Sequence, residues 1–312
     1  MKPEILQMGP MMKHIEEALN DAYLVHRYWQ ADDRAALLAA AGSQVRGVAT
    51  GGHEGCSRAV IEALPKLEVI ASFGVGYDAV DVDACRQHGV RVTNTPDVLN
   101  DAVAELAMGL MIALCRRIPQ ADVHVRGGRW LEGGCPLTGE LTGARVGILG
   151  LGRIGKEIAR RCQAFKMRVA YHGRSEQAFE PYEYYGDLAA MARDVDWLVV
   201  IAPGTPETTG LVSRKVMEAL GSKGSLVNVA RGSVVDEPAM VEMLQSGALG
   251  GAALDVFADE PRVPKALFGL DNVVLSPHQA SATNKTRKAM GDLVVQNLAA
   301  HFAGAPLLTP VV

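Results

Sequence analysis

Residues 144–175 read ARVGILGLGRIGKEIARRCQAFKMRVAYHGRS, and this stretch decides the fold. An apolar run, Val146 to Leu149, ends on Gly150, and Gly152 and Gly155 complete the spacing G-x-G-x-x-G. A helical pattern follows, with Ile154, Ile158, Ala159 and Cys162 on one face, and then a second apolar run, Met167 to Tyr171. Strand, glycine turn, helix and strand make one βαβ unit. Gly150 would allow the sharp turn, Gly152 the approach of a pyrophosphate, and Gly155 close packing of helix on strand. The phosphates of a dinucleotide would sit on the free N–H groups of the stretch Leu151 to Ile154, Arg153 included, at the start of the helix.

The end of the second strand bears on which dinucleotide. An NAD-selective site usually carries a carboxylate there for the ribose 2′-OH. Here the chain reads Tyr171-His172-Gly173-Arg174-Ser175, with no carboxylate before Glu176. A guanidinium suits bidentate phosphate binding, and the Ser175 hydroxyl can add a hydrogen bond. Gly173, Arg174 and Ser175 are therefore expected to form a 2′-phosphate pocket, and the expected cofactor is NADP(H).

The chain has 312 residues, long enough for about two domains. Its net charge of −4 gives no electrostatic reason to expect nucleic acid. The cysteines at 56, 85, 115, 135 and 162 form no C-x-x-C pair and show no metal spacing, so no metal is expected and a reducing, cytoplasmic setting fits. MKPEILQMGP lacks the apolar core of a signal peptide. The longest apolar helix candidate, Ala102 to Cys115, contains Glu105 and is too short to span a bilayer.

Before the glycine turn, short apolar runs (Ile5–Met8, Val45–Thr50, Val69–Phe73, Val90–Asn94) alternate with helical patterns (Met12–Leu19, Ala31–Ala41, Ser57–Leu64). This predicts a small parallel sheet with crossover helices. Val75 and Gly76 lie in the loop after its third strand, where ligands gather in open α/β sheets. A helix capped by Asn100 or Asp101 should run to Arg116 or Arg117 and make the first crossing between domains, and Arg126 to Thr142 should be a long loop. After Ser175 come strands at Asp196–Ile201, Ser225–Val229, Gly251–Val256 and Val273–Ser276, with helices at Arg214–Leu220, capped by Ser213, and at Glu237–Ser246. Ala202 and Pro203 break the first of these strands. A last helix, about Thr283–Ala303, returns the chain to the first domain. The expected architecture is α/β with two domains: a Rossmann doubly wound parallel sheet at 99–283, and a smaller, discontinuous, flavodoxin-like parallel-sheet substrate domain at 1–98 plus 284–312.

Three polar residues follow successive strands of the larger domain: Arg231, Glu260 and His278. An Arg can clamp a carboxylate, a His can exchange the proton that accompanies hydride transfer, and a carboxylate beside it orients the ring. Each alone is ordinarily a cap or a surface charge. The ordered set suits reduction of a 2-keto acid.

These residues sit in motifs that resemble the D-isomer-specific 2-hydroxyacid dehydrogenases over nearly the whole chain. The motifs are the glycine turn, Asn228-Val229-Ala230-Arg231-Gly232, Leu254-Asp255-Val256-Phe257 with Glu260-Pro261, Pro277-His278 with Ser281-Ala282-Thr283, and Thr95-Pro96-Asp97-Val98-Leu99 with Asp101-Ala102-Val103-Ala104-Glu105. Ser72 to Gly76, Gly173-Arg174-Ser175, Leu267-Phe268-Gly269-Leu270 and Pro306 to Pro310 resemble the branch of NADPH-dependent glyoxylate/hydroxypyruvate and hydroxyphenylpyruvate reductases. The resemblance implies that Arg231 binds the substrate carboxylate, His278 is the general acid, Glu260 holds it, and Val75 and Gly76 bind the carboxylate through backbone N–H groups. It implies that Asp255 contacts the nicotinamide amide or its ribose, with Ala202, Pro203, Val229, Ala230, Arg231, His278 and Ala280 also lining the cofactor. It further implies a cleft that closes between the domains, and a homodimer packed partly through Asp101 to Arg129. Gln279 and Ala280 depart from the Ile-or-Val then Gly of many relatives, and Gly9-Pro10-Met11-Met12 resembles a loop at the substrate mouth. The expected activity is NADPH-dependent reduction of glyoxylate and hydroxypyruvate, with hydroxyphenylpyruvate or 2-ketogluconate reduction as the alternative. An NAD(H)-sensing corepressor is the reading from a different class, disfavoured by the Arg174-Ser175 pair.

Overall fold

A computed structural model describes residues 2–312. Among the described residues, twelve strands are formed by Glu4–Gln7 (β1), Leu24–Arg27 (β2), Val45–Gly51 (β3), Val69–Phe73 (β4), Arg91–Thr93 (β5), Arg145–Leu149 (β6), Arg168–His172 (β7), Glu183–Tyr185 (β8), Trp197–Val200 (β9), Ser225–Asn228 (β10), Gly251–Leu254 (β11) and Val273–Leu275 (β12). The helices are Lys13–Ala22 (α1), Arg34–Ala41 (α2), Arg58–Glu62 (α3), Val82–His88 (α4), Asn100–Cys115 (α5), Ile118–Arg126 (α6), Arg153–Ala164 (α7), Leu188–Asp194 (α8), Arg214–Leu220 (α9), Glu237–Ser246 (α10) and Asn284–Phe302 (α11). None of the helices among the described residues is long and apolar enough to cross a membrane.

The chain divides into two compact units. One runs to Leu99 and resumes at Ala282–Val312, and the other is Asn100–Ser281. The first unit holds a parallel sheet in the order β2-β1-β3-β4-β5. Strand alternation sends Ile5, Ala49, Val69 and Ala71 to one face, where they meet Ile15, Leu19, Val294 and Leu298 of α1 and α11. Leu6, Val48, Ile70 and Val92 go to the other face, against Val60, Ile61, Leu64 and Cys85. The last residues have no apolar period, yet they are fixed. Asn297, fully buried, accepts from the N–H groups of Leu308 and Thr309 and donates to the Thr309 hydroxyl. Val311 N–H then donates to the Val92 carbonyl at 2.7 Å.

The second unit holds a seven-stranded parallel sheet, β12-β11-β10-β9-β6-β7-β8. The chain starts in the middle at β6, moves out to β7 and β8, and returns to the far side of β6 with β9. The strand order therefore reverses beside β6, and the crevice at the carboxyl ends of β6 and β9 is where such sheets take a ligand. The buried strands read as unbroken apolar runs, as parallel strands covered on both faces should.

Several elements depart from the expectation. Ile118–Arg126 is a helix beyond the one that ends at Cys115, with Pro119 in its first turn and Arg117 in the left-handed region before it. Ser213 stands at the N-cap of α9 without a side-chain cap hydrogen bond. Thr283, by contrast, caps α11 by accepting from Thr286 N–H at 3.1 Å.

Candidate active site

The glycine turn is built as tightly as its spacing requires. Gly150 has φ 104°, and a Cβ there would lie 2.9 Å from the Ala202 nitrogen. A Cβ on Gly155 would lie 2.1 Å from the Gly150 carbonyl oxygen, so any side chain would push α7 off the turn. Gly152 is different: a Cβ there would meet nothing within 4 Å. It precedes α7 as an N-cap with no side-chain cap bond. The helix thus opens with N–H groups that no cap side chain satisfies, beside a backbone bare of side chain, which fits a pyrophosphate. Leu151 is buried, while Arg153 is exposed in the first turn.

Past β7, Gly173, Arg174 and Ser175 lead a loop in which Arg174 and Ser175 are exposed. The Gly173 carbonyl accepts from the Tyr184 hydroxyl at 3.3 Å. Ala202 is buried against Gly150, and the exposed Pro203 presents its carbonyl to the Thr208 hydroxyl at 2.6 Å.

The three polar residues come from loops at the carboxyl ends of neighbouring strands β10, β11 and β12. Asn228, at the end of β10, accepts from Ala230 N–H at 3.1 Å and donates to the Arg231 carbonyl at 3.0 Å. This side-chain turn shapes the stretch Val229-Ala230-Arg231, with Val229 and Ala230 buried. Arg231 extends over Gly204, where a Cβ would lie 2.8 Å from Arg231 Cγ, and its Nη1 donates to the Ala230 carbonyl at 2.8 Å. Gly232 is pressed onto the next loop: a Cβ would lie 1.9 Å from the Phe257 carbonyl carbon. The Glu260 side chain folds back so that Oε1 accepts from Phe257 N–H at 2.9 Å. Its other oxygen, Oε2, lies 2.7 Å from His278 Nδ1.

His278 has φ 49°, in the left-handed region that a non-glycine residue enters only when held there. The holding group is Asp255. It is fully buried, and its Oδ1 accepts from the Ser276 hydroxyl at 2.5 Å and from Gln279 N–H at 2.9 Å. Oδ2 accepts from Ala280 N–H at 2.9 Å, and the Asp255 carbonyl accepts from His278 N–H at 2.8 Å. Where the resemblance puts Asp255 against the nicotinamide, both carboxylate oxygens are given to the loop that carries His278. Ala280 is buried at the same anchor, and Gln279 is exposed.

In the first unit, Gly74 N–H donates to the Thr95 hydroxyl, Thr95 N–H to the Gly74 carbonyl, and Asn94 Nδ2 to the Val75 carbonyl. Thr95 and Asn94 were not singled out from sequence, yet they fix the loop that holds Val75 and Gly76. Neither Val75 N–H nor Gly76 N–H has a protein acceptor among the described residues. The Gly9–Met12 loop is braced by Glu16, whose Oε1 accepts from Met11 N–H and from Gln7 Nε2. Three of the thiols are disfavoured as nucleophiles: burial pushes Cys56 and Cys162 each up to about 12 and Cys85 up to about 11.

A doubly wound sheet with a glycine-rich turn at its reversal point, and a carboxylate-paired histidine at the same edge, defines a nucleotide-dependent dehydrogenase. Residues 108–280 match the family model described as D-isomer specific 2-hydroxyacid dehydrogenase, NAD binding domain, and the chain belongs to that family. It is 50% identical over 308 residues to the hydroxyphenylpyruvate reductase of Plectranthus scutellarioides, covering 99% of this chain and 98% of that one. It is 47% identical over 308 residues to a glyoxylate/hydroxypyruvate reductase A of Arabidopsis thaliana, with the same coverage. Among solved structures, it resembles the NADPH-dependent glyoxylate/hydroxypyruvate reductase of Sinorhizobium meliloti in complex with NADP and malonate. That match has a TM-score of 0.95 at 47% identity, covering all of this chain and 97% of the other.

Proposed function

We propose that this protein is an NADPH-dependent reductase of small 2-keto acids, glyoxylate and hydroxypyruvate first among them, yielding 2-hydroxy acids. The observation that carries the reading is the Glu260–His278 pair at 2.7 Å, on a loop that Asp255 locks in a left-handed turn. With Nδ1 committed to Glu260, proton exchange with a substrate falls to Nε2. The carboxylate fixes the orientation of the ring, so His278 is placed to act as the acid for a developing alkoxide. Arg231 would bind the substrate carboxylate through its guanidinium and polarise the carbonyl. Val75 and Gly76 would bind the carboxylate through their backbone N–H groups.

NADPH fits the residues present. Gly150, Leu151, Gly152, Arg153, Ile154 and Gly155 would hold its pyrophosphate; Gly173, Arg174 and Ser175 its 2′-phosphate; and Ala202, Pro203, Val229, Ala230 and Ala280 would line the rest. When bound, the cofactor supplies the hydride. Asn100–Ser281 would serve as the dinucleotide-binding domain and the first unit as the substrate-binding domain. We place the protein in the cytoplasm, on its five unpaired cysteines, and as a homodimer. The dimer reading rests on exposed apolar side chains along and after α6 (Val123, Trp130 and Leu131).

The test is initial rate with glyoxylate, hydroxypyruvate and hydroxyphenylpyruvate, each with NADPH and with NADH. Rapid NADPH oxidation with the small acids is expected. Faster turnover of the aromatic acid would move the substrate assignment to it. Preference for NADH would overturn the reading of Arg174, and no turnover with any pair would overturn the enzyme reading.

A further inference from the structure

The loop that carries Arg174 and Ser175 is fixed at several points before any ligand arrives, and one of them ties it to the glycine turn. Tyr171 is buried at the end of β7, its ring 5.3 Å from that of Tyr184 on β8. Its hydroxyl accepts from Gln177 N–H at 2.7 Å. The Gln177 side chain then reaches back, and Nε2 donates to the carbonyl of Leu151 at 2.8 Å. Farther along, Glu180 pairs with Lys156 Nζ of α7 at 2.7 Å. Between the Tyr184 bond to Gly173 and the Gln177 bond to Leu151, Arg174 stands exposed, with no ion pair and no side-chain hydrogen bond among the described residues.

An Arg on a slack loop must be ordered when a phosphate binds, and that cost is subtracted from affinity. An Arg on a loop already pinned gives up far less. The pin at Gln177 also joins the turn that would hold the pyrophosphate to the loop that would hold the 2′-phosphate, so it sets the spacing between two anionic seats. We propose that Gln177 is a positioning residue for cofactor selectivity: by bonding the Leu151 carbonyl it holds Arg174 and Ser175 at the distance where a 2′-phosphate is read. This rests on the reading of Arg174 as the 2′-phosphate contact, and it deepens that reading by naming the residue that places it.

The experiment measures dissociation constants by isothermal titration for NADPH, NADH and 2′,5′-ADP. The proteins are the wild type, Gln177→Ala, Gln177→Met, Arg174→Ala and the double variant Gln177→Ala with Arg174→Ala. Loss of one hydrogen bond corresponds to about fivefold in affinity. Gln177→Ala is expected to weaken NADPH and 2′,5′-ADP by about that factor while NADH stays within about twofold. Gln177→Met keeps the length without the donor and should behave as Gln177→Ala. In the Arg174→Ala background, removing Gln177 should cost less than it does in the wild type, since only the Ser175 contact is left to misplace. Equal weakening of NADH would overturn the proposal, since Gln177 would then only brace the pyrophosphate turn. Unchanged affinities in Gln177→Ala, or full recovery in Gln177→Met, would also overturn it. An Arg174→Ala variant that loses NADPH and NADH equally would instead overturn the underlying reading of Arg174. Selective loss in Arg174→Ala with none in Gln177→Ala would sink the positioning role alone.

Discussion

Replacing Asp255 with Asn changes one atom, and the structure sets what it should cost. Oδ1 serves Ser276 and Gln279, and Oδ2 serves Ala280. In the Asp255→Asn variant an amide oxygen at the Oδ1 position keeps two of the bonds, but as neutral ones. Each loses about 1 kcal/mol relative to a bond to a charged acceptor. The amide NH2 then faces the N–H of Ala280, two donors opposed in a buried site, which adds about 1–3 kcal/mol. The total is about 3–5 kcal/mol, a large share of the stability of an ordinary domain. The left-handed backbone at His278 costs about 1–2 kcal/mol by itself, and its support would then be too weak to hold it. The loop should relax toward φ below zero and carry the imidazole away from Glu260. Misplacement of a catalytic group by about 1 Å costs on the order of a hundredfold in rate. Urea unfolding followed by tryptophan fluorescence, to which the buried Trp197 on β9 contributes, measures the first effect, and NADPH oxidation with glyoxylate measures the second. An Asp255→Asn protein with a wild-type urea midpoint and near-normal turnover would refute the claim that this carboxylate holds the His278 loop.

Other outcomes follow from the same geometry. His278→Ala should lower turnover by about a hundredfold to ten-thousandfold while NADPH binding by titration survives, and near-normal turnover would remove it from the acid's role. Gly232→Ala would place a methyl 1.9 Å from a backbone carbon of Phe257, where neither side can yield cheaply. It should cost about 3 kcal/mol in urea unfolding and reduce kcat as the Arg231 and Glu260 loops separate. In the first unit, the Arg46 guanidinium bonded to Glu68, with His301 beside it, holds that carboxyl below its usual range. A depressed carboxylate contributes stability that is present above its unfolded value and lost as pH falls through the lower folded one. Acid unfolding of the wild type should therefore steepen below about pH 4, and less so in Glu68→Gln, as followed by circular dichroism.

The sequence was most readable where one physical demand acts alone. The strands β6, β9, β10 and β11 are covered on both faces, and their apolar runs announce them. The ends of α9 and α10 fall where the pattern puts them. Two of the four edge strands were hidden, while β5 and β12 were legible. β2 reads Leu-Val-His-Arg with no residue fully buried, and β8 reads Glu-Tyr-Tyr, so neither carries an apolar run. The helix Ile118–Arg126 leaves Ile118, Val123 and Val125 exposed, so its apolar residues mark no core face within the chain. At the site, Arg231, Glu260 and His278 were legible because each follows a strand. What orients them was not, because Asn228 and Asp255 act mainly through backbone groups of neighbouring residues that no spacing rule singles out. Asn228 gave the best hint, as an Asn at a strand end two residues before a bend.

The interrupted first unit has a consequence for synthesis of the chain. Asn100–Ser281 is one continuous segment and has all its strands once Ser281 has left the ribosome. The earlier-made unit does not: Val294 and Leu298 of α11 fill one side of its sheet, and Val311 joins the edge at Val92. Until Ala282–Val312 emerges, the face of its sheet that carries Ile5, Val69 and Ala71 is covered by α1 alone and lacks the side chains of α11. Contrary to the usual N-terminal-first order, the continuous unit Asn100–Ser281 is expected to complete its fold before the interrupted one.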